Sequence, residues 1–194
     1  MKAFLIAILV LVVILIAFAG KFVSTRNELV REREAVNAQW SQVDVVLQRR
    51  SDLIPNLVET VKGYMQHEQQ TLLAVTQARA ASMNAASIGQ KAQADLMMTG
   101  ALRGLFAVAE NYPQLKANEG FLKLQARISE LEDRIADRRE FFNDDVNTYN
   151  TRIGQIPDVF VASFMTLKPR AMFKISEEDR QLVQVKFSKG AAGA

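Results

Sequence analysis

Arg49, Arg50, Asp52, Pro55 and Asn56 form the most unusual polar group in the chain. Arg50 stands at a spacing that apolar residues otherwise fill, between Leu47 and Ile54. A guanidinium on an apolar helix face must be paired or reach water, because an unpaired buried charge is strongly unfavourable. Asp44, Asp52 and Glu59 are its local candidate partners, and Asn56 is a candidate to satisfy backbone groups freed at Pro55. Two readings fit the group. It is a buried ion pair that fixes helix register, or it is a site that binds a partner.

Groups that would support catalysis are sparse. His67 is the only histidine, next to Glu68, and neighbours at i and i+1 do not share a helix face. A closed metal site needs more ligands than these two. There is no cysteine, which excludes disulfides, thiolate metal sites and cysteine nucleophiles. Neither a G-x-S-x-G elbow nor a glycine-rich phosphate loop occurs. Gly100 and Gly104 make a G-x-x-x-G in a helix that reads as soluble, where the expected role is close helix packing. The net charge of +3 comes from 24 basic and 21 acidic residues that are mixed throughout. No basic face interleaves with aromatics, so nucleic acid is not an expected partner. No cofactor, no metal and no enzymatic activity are expected.

The elements that carry these residues begin with an unbroken apolar run from Ala3 to Ala19. At ~1.5 Å per residue it reaches roughly 26 Å, close to the ~30 Å hydrocarbon core of a bilayer. Phe22 and Val23 extend it, and Lys21 can snorkel to headgroups. The run reads as a retained anchor. The rival reading is a cleaved signal peptide, with Ala17-Phe18-Ala19 as the cut site but no polar region before it. Lys21, Arg26, Arg31 and Arg33 follow the run against Lys2 ahead of it, which favours a cytoplasmic main domain.

From Ser24 to about His67, Val36, Trp40, Val43, Leu47, Ile54, Leu57, Val61 and Tyr64 form an apolar stripe at helical spacing. Pro55 predicts a kink or break near Ser51–Ile54, and Trp40 is expected in the core. A second helix over 68–86 would turn Leu72, Val75, Thr76, Ala80 and Met83 inward. A third, over 90–111, would bury Leu96, Met97, Leu102, Leu105, Phe106 and Ala109. Residues 113–120 read as a loop. The fourth helix, over 118–153, carries Leu124, Ile128, Leu131, Ile135, Phe142, Val146, Tyr149 and Ile153 on one stripe. Its charges, Glu130, Glu132, Asp133, Arg134, Asp137, Arg138, Arg139 and Glu140, read as a solvated outer face.

Residues 156–167 are apolar but too short to span a bilayer. They are a short helix packed on the bundle or an interfacial element, with Phe22, Phe160 and Phe164 as candidate membrane contacts. The last segment alternates through Val183, Val185 and Phe187. A lone strand is not stable, so the tail is either disordered or an assembly arm that pairs with another chain.

One block reads Q-V-D-V-V-L-Q-R-R-S-D-L-I-P-N-L-V-E-T-V-K-G-Y from Gln42 to Tyr64. His67-Glu68, Ala78-Arg79-Ala80, Y-P-Q-L-K-A-N-E at Tyr112–Glu119 and Y-N-T-R-I at Tyr149–Ile153 follow in order. These segments resemble the bacterial LemA family, from the anchor to about Phe173, with the tail after Ile175 outside the resemblance. The resemblance implies a membrane-anchored helical bundle with no established enzymatic activity. It also implies links to envelope maintenance and stress, and relatives in magnetosome membranes.

The expectation is therefore an all-α protein, with a single transmembrane helix followed by an antiparallel four-helix-type bundle. Residues 1–23 are the anchor, 24–175 the bundle and 176–194 the tail. The expected role is a non-enzymatic scaffold or adaptor in the bacterial cytoplasmic membrane. It would self-assemble or hold another membrane protein. The alternative is a surface module that binds or remodels membrane lipid through the anchor and residues 159–167.

Overall fold

A computed structural model describes residues 2–174. Six helices follow one another: α1 (Lys2–Lys62), α2 (Gln69–Asn84), α3 (Ile88–Ala109), α4 (Pro113–Lys116), α5 (Glu119–Gly154) and α6 (Asp158–Phe164). No strand occurs among the described residues, so the fold is all-α, a bundle of long helices. The residues divide into two compact units. The first takes α1 up to Val45 together with Ile135–Met172, and the second takes Val46–Arg134 together with Phe173.

In the first unit, the apolar start of α1 is long enough to cross a membrane and none of it is buried. The same helix continues without a break, burying Leu29, Val36 and Val43. These positions recur every seven residues, which keeps them on one side of a helix. On α5, Phe142, Val146, Tyr149 and Ile153 are buried at three- and four-residue spacing. Trp40 is only half-buried, not a core residue as expected, and its ring tilts against Phe142 with centroids 5.3 Å apart. At the end of α6, Thr166 takes a left-handed backbone with φ 53. The Thr166 amide donates to the Ser163 carbonyl and the Leu167 amide to that of Ala162, closing the helix in a Schellman pattern.

The second unit has its own core. Ile54, Leu57 and Val61 of α1 cluster with Val75 and Ala78 of α2, with Met98, Leu102, Leu105 and Ala109 of α3, and with Phe121 and Ile128 of α5. Ser87 caps α3. Its hydroxyl accepts from the Gln90 amide, and the Gln90 side chain accepts in return from the Ser87 amide. Asn118 caps α5 by accepting from the Phe121 amide at 3.0 Å.

Several expectations change. Pro55 lies inside an uninterrupted α1, so the expected break is absent. Helix α1 ends at Lys62, which leaves Tyr64 exposed and puts Met65 in the core. On α2, Thr76, Ala80 and Met83 face solvent while Val75 and Ala78 are buried. On α3, Leu96 and Met97 are exposed, and Ala94, Asp95 and Met98 take their places inside. The expected loop contains α4, which buries Leu115. A Cβ added at Gly100 or Gly104 would meet nothing within 4 Å, so these glycines serve no close packing among the described residues.

Candidate functional site

Arg50 is fully buried, and α1 delivers it into the second unit between α3 and α5. One terminal nitrogen donates to Asp95 Oδ1 at 2.7 Å, and the other to Glu132 Oε1 at 2.6 Å and to Thr99 Oγ1 at 3.2 Å. The Thr99 hydroxyl donates onward to Glu132 Oε2 at 2.9 Å. Arg50 Nε is buried with no hydrogen-bond partner among the described residues. The local candidates Asp44, Asp52 and Glu59 are not the partners. Asp52 instead accepts from Gln48, one turn earlier on the same helix. Carboxylates one or two turns along α1 stay beside that helix, whereas Asp95 and Glu132 approach across the core. Glu132 thus leaves the solvated face expected for it, with its side chain 27% exposed.

Pro55 explains a second polar contact. It carries no N–H, so the Ser51 carbonyl four residues back loses its helical donor. Arg79 of α2 supplies one instead, from Nε at 3.1 Å. The Ser51 hydroxyl also meets the Ser82 hydroxyl at 3.1 Å. Asn56, the expected helper, is exposed, as are Arg49, Asp52 and Pro55. The expected polar group therefore separates. Arg50 enters a buried network, and Pro55 acts through its backbone on Arg79.

Two further contacts use residues from the quoted sequence segments. The Tyr112 hydroxyl donates to Glu68 Oε1 at 3.2 Å, and the Asn118 amide donates to the Tyr64 hydroxyl at 3.2 Å. Partial burial and then the nearby Glu68 charge push the Tyr112 hydroxyl pKa above its ordinary value. His67 is exposed.

A separate charge cluster lies in the first unit. Arg152 of α5 donates to Asp158 Oδ2 at 2.8 Å, and also to Glu28 and Glu32 of α1. Its bonds to Asp158 and then to the two glutamates raise its pKa further above the usual arginine range. The bond from Arg152, with a second from Ser24, lowers that of Glu28. Nearby, the Asn150 side chain pairs with both backbone groups of Arg170, at 2.7 and 2.9 Å. Sequence reading missed this cluster, because Arg152 and its α1 partners lie 120 or more positions apart.

The chemistry of both clusters is ionic and hydrogen-bonding. Arg50 is fully buried, with both terminal nitrogens held by Asp95, Glu132 and Thr99. Among the described residues no group of histidine, aspartate and glutamate could hold a metal ion. Phe160 and Phe164 are exposed, and Phe164 meets Phe22 edge-on. Val183, Val185 and Phe187 lie outside the described residues.

Comparison with known proteins bears on the same segments. The LemA family model matches residues 39–187. The match runs past Ile175, so the tail is not outside the family as expected. Protein LemA of Metamycoplasma hominis is 29% identical over 164 residues, covering 82% of this chain and 73% of that protein. Magnetosome protein MamQ 2 of Paramagnetospirillum magneticum is 28% identical over 184 residues, covering 81% and 67%. Magnetosome protein MamQ of Magnetospirillum gryphiswaldense is 27% identical over 180 residues, covering 79% and 66%. With its family match spanning most of its length, the chain belongs to the LemA family.

Proposed function

We propose that this protein is a non-enzymatic scaffold or adaptor, anchored in the bacterial cytoplasmic membrane by the start of α1. The single observation behind this reading is the continuity of α1. The helix passes from a membrane-length apolar segment into a packed unit with no break or loop. Such a joint suits a part that holds a position next to lipid. The use of Arg50 and Arg152 to tie helices together agrees with that role. Relatives named as magnetosome proteins support a bacterial membrane setting. The Lys/Arg count around the anchor favours a cytoplasmic main domain.

Its partners are membrane lipid and either further copies of itself or another membrane protein. The alternating segment at Val183, Val185 and Phe187 is the candidate assembly arm. In-cell photo-crosslinking from position 187 of the full chain tests this. The expected products are self-crosslinks or one defined foreign band, both lost when Val183 and Val185 become serine. Crosslinking to no protein, in membranes that hold the intact chain, would refute the arm.

A further inference from the structure

Helix α6 buries Val161 and Ala162 and turns Phe160 and Phe164 outward, 69% and 77% exposed, with Ile156 at 80% just ahead. Phe160 and Phe164 are four residues apart, so they share one helix face. Between Ile153 and Leu167 the only formally charged residue is Asp158, and Arg152 pairs with it. A contact at each end fixes this short helix. Arg152 ties its first turn to Glu28 and Glu32 of α1. At the far end Phe164 meets Phe22 of α1 edge-on, with ring centroids 5.7 Å apart at 76°.

The Phe22 contact sets a depth. Phe22 follows Ala19 by three positions, or about 4.5 Å along the helix axis. With the apolar run in the hydrocarbon, that level is the boundary between acyl chains and headgroups, which exposed Lys21 can reach. Phe164 shares this level.

We propose that α6 is a second membrane contact, with the Phe164 end of its Phe160–Phe164 face entering the interface of the bilayer that α1 crosses and Phe160 one turn above it. Lipid is the occupant because this face continues the lipid-facing surface of α1 through Phe22 and carries no unpaired charge. A helix held at two places along its interface side cannot rotate freely about its own axis. The α6 contact therefore sets how the first unit faces the membrane. This inference rests on α1 being an anchor, and the test separates the two.

The chain has no cysteine, so single spin labels can be placed on the full-length protein without background. Leu11→Cys reports the anchor, Ser163→Cys reports α6, and Asn147→Cys reports an exposed site on α5. Each is reconstituted in vesicles of phosphatidylethanolamine and phosphatidylglycerol. Collision with oxygen marks lipid, and collision with a water-soluble nickel chelate marks solvent. The expected result is strong oxygen preference at 11, moderate oxygen preference at 163 and nickel preference at 147. Adding Phe160→Ser and Phe164→Ser should shift position 163 to nickel preference and leave 11 unchanged. Nickel preference at 163 in the otherwise native chain overturns the inference. Shielding of 163 from both reagents also overturns it, because protein would then cover α6. Nickel preference at 11 overturns the anchor as well.

Discussion

Replacing Arg50 by methionine would remove the buried guanidinium that both Asp95 and Glu132 bind. Breaking a buried pair in this way costs about 3–5 kcal/mol, whereas replacing all charged members by apolar ones is often neutral. Arg50→Met should therefore lower denaturant stability by about that amount, and adding Asp95→Leu with Glu132→Leu should recover most of it. If the single variant is as stable as the native chain, the network does not hold the unit together. Pro55 and Arg79 make a second pair. Arg79→Ala should cost about 1–3 kcal/mol because it strands the Ser51 carbonyl. In a Pro55→Ala background the restored N–H can take over, and the cost should shrink. Costs that add within about 0.5 kcal/mol would show that the two residues do not act through Ser51. The sequence showed that Arg50 needed a partner but not which, since Asp95 and Glu132 lie 45 and 82 positions away. Pro55 was legible as a lost donor. Its remedy was not, because a side chain on another helix supplied it.

At the scale of the elements, helical periodicity located every long helix, and end signals set their limits less well. Ser87-Ile-Gly-Gln90 is a capping box written in the sequence, and it starts α3 two residues before the expected position. The inward faces of α2 and α3 were assigned only in part: Val75, Leu102, Leu105 and Ala109 are buried as expected, whereas Thr76, Ala80, Met83, Leu96 and Met97 are exposed. Both helices are rich in alanine, whose small apolar side chain gives a weak contrast between faces. The position of α6 depends on long-range charge. Glu28 is held by Arg152 and Ser24, so its folded pKa lies below the ordinary 4.5. The stability this contributes is present above the unfolded value and is lost as pH falls through the folded one. Acidification through that range should loosen α6 from α1, seen as falling amide protection factors in residues 158–164, with the intrinsic pH dependence of exchange divided out. Arg152→Gln should show the low protection already at neutral pH. Protection factors in the native chain that stay high and independent of pH would show that the cluster does not hold α6.

For the whole molecule, an all-α, membrane-anchored member of the LemA family was legible from the apolar run and the quoted segments. The division into two units was not. Helices α1 and α5 each contribute to both, and no glycine, proline or linker marks the change near Val45 or Ile135. On the proposed reading, what the molecule does depends on what it holds. The most direct test is the mass of the full-length protein extracted from native membranes in mild detergent, with co-purifying proteins identified. A scaffold should elute as a large homogeneous homo-oligomer, and an adaptor as a small species with one foreign protein in fixed ratio. A lone monomer, with no partner at any detergent level that keeps the helices folded, would contradict both.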